Sequence, residues 1–337
     1  MRILIIGGTG FIGIHLVNEL LRADHEIGVL ALPSDDCLSL LPENVTITCQ
    51  DFKSFSDNQL LDLLKPYDSV VYAAGVDDRF VPTKPAWPFF YTENFVPVFK
   101  ISKQAGEAGI KRLIIIGSYF THFDALWPDM NLKNNHPYIF SRVMQTRLGR
   151  DIPADGVDIS YIGLPFVFGD AVNKKPMWTP LLKYLKSSLP VFAPSGGTAV
   201  VAVETVARVV RAALEKSRGV KQYYIGQENL TWKELFKHLA SIQGKNRKVF
   251  HLPKLIMNFV FSIQKFRQYI RNTEAGLSNS KLADLLTRDL FLDTTKAKDE
   301  LDYKEYDLSK AFHDTIISAN RDIQQTGILS NIQENEN

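Results

Sequence analysis

In the first half of the chain, apolar residues fall into short unbroken runs, each followed by a stretch in which they recur every three or four positions. The runs predict strands at Arg2–Ile6, Glu26–Ala31, Val45–Thr48, Ser69–Ala73, Arg112–Ile116 and Asp158–Ile162. The periodic stretches predict helices at Phe11–Ala23, Asp57–Lys65, Pro88–Gly109 and His136–Asp151. A strand that is apolar at consecutive positions is covered on both faces, so the pattern implies a parallel sheet between two helical layers. This is an α/β, doubly wound architecture, in which ligands sit at the carboxyl ends of the strands. After Gly169 the pattern loosens: Pro176, Pro180, Pro190 and Pro194 punctuate it, and Ser195-Gly196-Gly197 marks a turn. Short strands at Ala199–Val203 and Gln222–Ile225 alternate there with helices at Glu204–Lys216 and Thr231–Gln243. The expected organisation is a nucleotide domain over 1–169, a smaller α/β substrate lobe over 170–325 and a polar tail over 326–337.

Composition narrows this only slightly. The 337 residues carry a net charge of +2, which gives no field for steering nucleic acid. Cys37 and Cys49 are the only cysteines and lie outside any Cys-x-x-Cys or zinc-like spacing. They suggest no disulfide framework, as in a reducing cytoplasm. The N-terminal apolar run is short and flows into a glycine turn, so it reads as the first strand rather than a signal peptide. The longest other apolar stretch, Leu255–Ile263, is interrupted by Asn258 and is far shorter than the roughly 20 residues of a membrane span. A soluble, cytoplasmic protein is the expectation.

The chemistry begins at Gly7-Gly8-Thr9-Gly10-Phe11-Ile12-Gly13, between the first strand and the first helix. There a helix begins with free N–H groups, and those donors together with the helix dipole favour a pyrophosphate. Gly7 permits the turn, Gly10 lets backbone approach phosphate, and Gly13 lets helix pack on strand.

By Gly13 the chain already resembles the extended short-chain dehydrogenase/reductase family, of the epimerase/dehydratase-like and dihydroflavonol-reductase-like kinds, and later motifs extend the resemblance. Gly7, Gly10 and Gly13 match the family's G-x-x-G-x-x-G, whose turn includes Thr9, Phe11 and Ile12. Asp51-Phe52 stands where the family contacts adenine, and Ala73-Ala74-Gly75 where a small-residue loop passes under the cofactor. Asn94 matches the family's helix asparagine, Ser118 its catalytic serine, and Pro137-Tyr138-x-x-Ser141-Arg142 its P-Y-x-x-S-K motif except at the last residue. Gly163-Leu164-Pro165-Phe166-Val167-Phe168-Gly169 resembles R-L-P-x-V-Y-G, with Pro165 and Val167 on the cofactor side, and Val203-Glu204-Thr205-Val206-Ala207 resembles V-D-D-V-A. The resemblance implies a Rossmann fold, NAD or NADP, a small-molecule substrate, and a homodimer formed through Pro88–Gly109 and His136–Asp151.

It also implies hydride transfer with Tyr138 as acid/base, Ser118 holding the substrate oxygen and Arg142 tuning the phenol and anchoring the ribose. A free tyrosine titrates near about 10. A cation about 4 Å away interacts with it by roughly 4 kcal/mol at an effective dielectric of about 20. That is roughly 3 pKa units, so Arg142, one helical turn on, is expected to bring the phenol towards neutrality. Arginine cannot lose a proton, so the relay open to a lysine is closed.

Several readings stay open. After the second strand the chain reads Leu32-Pro33-Ser34-Asp35-Asp36, with no acid at the strand end to exclude a 2′-phosphate, and the cofactor leans only slightly to NADP. The residues after Ser118 are Tyr119-Phe120-Thr121-His122 and lack an acidic pair, which disfavours sugar-nucleotide elimination. Phe80, Pro82, Pro85, Trp87, Pro88, Phe89 and Phe90 either line an apolar pocket or pack a long loop, with Asp77 and Asp78 solvating it. His122 and His136 are candidates for bonding substrate, and incidental loop histidines otherwise. Leu255–Phe266 reads as a core helix of the second lobe, or as a lid. Its flanking Lys254, Lys265, Arg267 and Arg271 suit a solvated face, a membrane surface or a phosphorylated substrate. The leading function is an NAD(P)-dependent oxidoreductase acting on a carbonyl or secondary alcohol. Behind it stand a sugar-nucleotide 4-epimerase with tightly held NAD and a non-catalytic NAD(P)-sensing protein.

Overall fold

A computed structural model describes residues 1–34, 37, 39–148, 151, 156–172 and 175–321. Asp35, Asp36 and the tail 326–337 lie outside the described residues. The strands are β1 (Arg2–Ile6), β2 (Glu26–Ala31), β3 (Thr46–Cys49), β4 (Ser69–Tyr72), β5 (Arg112–Ser118), β6 (Asp158–Leu164), β7 (Phe166–Phe168), β8 (Val191–Ala193), β9 (Gly197–Ala202), β10 (Val220–Tyr224), β11 (Glu228–Thr231), β12 (Val249–His251) and β13 (Asp289–Leu290). Seven form a central sheet in the order β10-β6-β5-β4-β1-β2-β3, with every neighbouring pair parallel. The strand order reverses between β1 and β4, which opens a crevice at their carboxyl ends.

Each face of this sheet is closed by helices whose apolar stripes meet the strands. On one face, helices Phe11–Arg22 and Val203–Lys216 bury Leu16, Val17 and Leu20 with Val206, Val209 and Val210. Arg211 on the second helix pairs with Glu19 on the first at 2.8 Å. On the other face, helices Asp57–Leu64 and Val96–Ala105 bury Leu60, Leu64, Val98 and Ile101. A capping box between Ser56 and Gln59 starts the former.

The helix predicted over Pro88–Gly109 is broken into a helix Ala86–Phe90, a π-helical turn Tyr91–Phe95 and the helix Val96–Ala105. Pro97 has no N–H to give to the carbonyl of Glu93, so the α-helical ladder opens there. The Val96 N–H bonds the Tyr91 carbonyl instead, and the buried Tyr72 hydroxyl donates to the Glu93 carbonyl at 3.4 Å. This turn carries Asn94 into the interior.

A second sheet is built on β9, which pairs with β7, β11 and β13, and β8–β12 form a separate two-stranded pair, whereas β10 and helix Val203–Lys216, expected in the smaller lobe, belong to the central sheet. The sheet also corrects the cysteine reading. β2 and β3 are neighbours with Ala31 opposite Cys49, and the turn after β2 brings Cys37 to a Cα separation of 6.5 Å from Cys49. The two are joined as a disulfide with an S–S length of 2.08 Å, so the expectation of no disulfide fails, and its support for a reducing compartment falls with it. No helix among the described residues is long and apolar enough to cross a membrane.

Candidate active site

At the β1/β4 switch point the glycine turn and the Ala73-Ala74-Gly75 loop lie against each other. A Cβ on Gly7, whose φ is +89°, would stand 2.9 Å from the Ala74 nitrogen. A Cβ on Gly13 would fall 2.1 Å from the Gly7 carbonyl oxygen. Such contacts leave only glycine at these positions. Helix Phe11–Arg22 starts at Gly10 with no side chain capping it, so its first N–H groups face the crevice. A glycine cradle closed by an uncapped helix N-terminus fits a dinucleotide pyrophosphate. Asp51 accepts the Lys53 N–H on Oδ1 at 2.9 Å, beside Phe52 and next to the crevice end of β3.

A hydrogen-bond lattice ties the loop after Gly75 to helix Pro137–Thr146. Asn94 accepts the Val76 N–H at 2.8 Å and donates to Ser141 Oγ at 3.1 Å. Gln145 donates to the Asn94 carbonyl at 2.6 Å. Arg142 donates from Nη2 to the Val76 carbonyl at 3.0 Å and from Nη1 to Gln145 Oε1 at 3.2 Å. Its Nε is buried without a partner. A guanidinium spreads its donors over a fork, so Arg142 can hold the loop and still present N–H groups to a ribose hydroxyl.

The fold brings Ser118, Tyr138 and Arg142 together. Arg142 Cζ lies 5.2 Å from the centre of the Tyr138 ring, and the Ser118 side chain, whose Oγ accepts the Phe120 N–H at 3.3 Å, lies near enough to the Tyr138 phenol to pull its pKa down. Tyr161 fixes the strand end that carries Ser118: its hydroxyl accepts the Ser118 N–H at 2.8 Å and donates to the Ser118 carbonyl at 3.1 Å. Burial raises the Tyr138 phenol above its ordinary value, and the opposing pull of Arg142 does not overcome it. The expectation of a phenol poised near neutrality is therefore corrected: desolvation outweighs the cation, and the hydroxyl stays protonated.

Beside this group lies a cavity of about 330 Å³. Phe120, Phe166, Trp232 and the leucines at 277, 282, 285, 286 and 290 supply its apolar wall, and Asp78, Gln264, Gln268 and Asn279 its polar positions. Phe120 meets the Tyr138 ring edge-on at 6.4 Å. Several sequence expectations change here. Asp78 faces the cavity instead of solvating the loop, and burial, aided by Asp77, pushes its carboxyl up to about 6. Asp77 is bound to Arg79. The loop aromatics wall no part of the cavity: Phe90 is fully buried against Tyr138, Phe80 packs on Phe89, and Trp87 on Phe140. His136 is fully buried and accepts the Ser278 N–H at Nδ1 (2.9 Å), while His122 packs between Phe123 and Tyr224. Neither histidine lines the cavity, although His136 Nε2 is buried without a partner. The helix Lys254–Ile270 is no core helix, since only Met257 along it is buried. Gly163 replaces the arginine of the resembling motif because Tyr224 fills that space: a Cβ there would fall 2.4 Å from its ring.

Pro165 directly follows the carboxyl end of β6, and Val167 lies in β7. Tyr161, Gln145 and Tyr224 were not singled out from the sequence, and Asp78 was read there only as solvating the loop. Asp78 alone had a usable signal, an acid in the loop after a switch-point strand.

Residues 3–226 match the family described as "NAD dependent epimerase/dehydratase family". This chain belongs to the NAD dependent epimerase/dehydratase family. That membership places it in the extended short-chain dehydrogenase/reductase class with a Rossmann fold. A UDP-glucose 4-epimerase of Neisseria meningitidis serogroup C is 29% identical over 131 residues, 36% of this chain and 38% of that protein. The chain thus matches less than half the length of this curated relative. A Synechocystis protein named provisionally as a dihydroflavonol 4-reductase is 21% identical over 332 residues, 93% of this chain and 92% of that protein. Among solved structures, gox2253 has a TM-score of 0.76 at 20% identity, covering 94% of this chain and 97% of that one. A Thermotoga maritima UDP-glucose 4-epimerase, solved with UDP-glucose, has a TM-score of 0.68 at 16% identity over 94% and 98%. At such identities these epimerase/dehydratase-family likenesses establish the fold.

Proposed function

We propose that the protein is an NAD(P)-dependent reductase of an apolar or amphiphilic ketone, working in the alcohol direction as well when conditions favour it. The observation that carries this reading is the cavity beside Tyr138, whose lining contains one carboxylate and no lysine or arginine. A nucleoside diphosphate buried there would meet no cation, whereas a hydrocarbon frame would meet leucine, phenylalanine and tryptophan.

Gly7, Thr9, Gly10, Phe11, Ile12 and Gly13, with Asp51, Phe52, Ala73, Ala74, Gly75, Asn94, Pro165 and Val167, would hold a nicotinamide cofactor, which when bound would supply the hydride. Ser118 holds the substrate carbonyl oxygen by a hydrogen bond. Tyr138, kept protonated by burial, gives that oxygen its proton, so the carbonyl becomes an alcohol and the phenol a phenolate. Arg142 stabilises the phenolate by charge and cannot replenish its proton, which must come from solvent. Asp78, which faces the neighbouring cavity with a raised pKa, would receive and pass such a proton.

The names of the relatives support a second reading, a sugar-nucleotide 4-epimerase. The test is a screen of NADH and NADPH oxidation against cyclic and aromatic ketones, run beside an NMR assay of UDP-glucose and UDP-galactose interconversion. Turnover of ketones without epimerisation supports the reductase. Epimerisation with cofactor retained through purification overturns it.

A further inference from the structure

Helix Lys254–Ile270 stands on the surface with a long apolar face uncovered. Leu255, Phe259, Ile263, Phe266 and Ile270 recur four, four, three and four residues apart, all exposed, with Leu255 at 82%, Phe259 at 68% and Tyr269 alongside at 73%. Large apolar side chains of this kind are most often found in a core, and contiguous exposure of so many marks a surface that is covered in use. The face continues back along the chain to exposed Phe250, which packs on exposed Phe192 across β12 and β8.

Charge identifies the cover. Between Glu234 and Glu274 the chain carries eight lysines and arginines and no acid, within a protein of net charge +2. Lys254 is paired with Asp284, but among the described residues Lys265, Arg267 and Arg271 have no ion-pair partner. A second copy meeting this face about a twofold axis would set those cations against their own counterparts. An anionic lipid surface neutralises them while its acyl boundary takes the apolar stripe.

We propose that helix Lys254–Ile270 docks the protein on anionic membranes, lying in the headgroup plane without crossing the bilayer. The opposite edge of the same helix carries buried Met257 and, further on, Gln264 and Gln268, which wall the cavity. Docking therefore sets the cavity at the lipid interface, where an amphiphilic substrate would enter. That consequence rests on the reductase reading; vesicle binding itself does not.

The test is flotation of the full-length protein with vesicles of phosphatidylcholine alone and of phosphatidylcholine mixed with phosphatidylserine. Binding to the anionic vesicles is expected to be at least about tenfold stronger and to weaken with salt. The Phe259→Glu/Phe266→Glu variant should lose it, and Lys265→Glu/Arg267→Glu should lose the preference for phosphatidylserine. Both should keep the wild-type circular dichroism spectrum and cofactor titration, because the altered side chains are exposed. Absence of binding to anionic vesicles, or binding that survives the double glutamate change, overturns the proposal. So does a dimer in sedimentation equilibrium that Phe259→Glu/Phe266→Glu converts to monomer, since a second copy would then be the cover.

Discussion

The cofactor crevice and the substrate cavity adjoin one another but are made from different materials. The crevice is made of backbone: a glycine turn, a helix start and a small-residue loop, all within the first 75 residues of the chain. The cavity is made of side chains contributed by separated segments, from Asp78 through Phe120, Phe166 and Trp232 to Leu290. Backbone geometry tolerates almost no substitution, so its sequence signature is short and contiguous. A wall of side chains can be assembled from many sequences, so the substrate it admits leaves no motif. One half of the site fixes the chemistry, and the other fixes what undergoes it.

The sharpest way to separate the halves is Tyr138→Phe. It should lower turnover of a reduced ketone by about 10²–10⁴-fold while leaving cofactor binding nearly unchanged. Steady-state kinetics beside a fluorescence titration would show this. Equal turnover in the variant would remove Tyr138 from the chemistry.

Arg142→Lys tests the join between the halves. Lysine cannot reach both the Val76 carbonyl and Gln145 Oε1, so one buried acceptor loses its donor. The expected cost is about 1–3 kcal/mol in unfolding free energy, seen in denaturant titration. If stability is unchanged and turnover rises, the arginine serves a sensing protein better than a reductase.

How much of this was legible depended on the same contrast. The strands from Arg2 to Asp158 and the doubly wound sheet followed from runs and turns, and the residues Ser118, Tyr138 and Arg142 from the family resemblance. The break in the helix after Phe90 did not, although Pro97 in the sequence marks where the ladder must open. The Cys37–Cys49 bond was hidden because it depends on two strands being neighbours, which spacing along the chain does not reveal. The sign of the Tyr138 shift was missed because a charge can be counted in a sequence and desolvation cannot. Asp78 was read as a solvated loop residue, and the leucines from 277 to 290 were missed because their meeting with it is purely tertiary.

The smallest expected effect concerns Asp78. Its carboxyl is raised to about 6 in the fold from an ordinary value near 3.8, so the folded protein binds more protons than the unfolded chain between these values. Its contribution to stability is therefore favourable at low pH and declines as pH rises from about 4 to about 6. Buried His136, pushed down to about 4 from an ordinary value near 6.5, works in the opposite sense over nearly the same range. The difference between wild type and Asp78→Asn isolates the carboxylate. The variant's unfolding temperature should gain on that of the wild type through this window and stay ahead above it. A pH-independent difference would mean Asp78 is solvated.

The central claim, that a backbone-built cradle at the β1/β4 switch point binds a nicotinamide dinucleotide, is tested most directly by fluorescence titration of cofactor-free protein with NADH and with NADPH, alongside Gly13→Val. The account predicts saturable binding of at least one cofactor by the wild type and none by the variant, whose added side chain meets the Gly7 carbonyl. Folded wild-type protein that binds neither cofactor, or a Gly13→Val variant that binds as well as wild type, would contradict it.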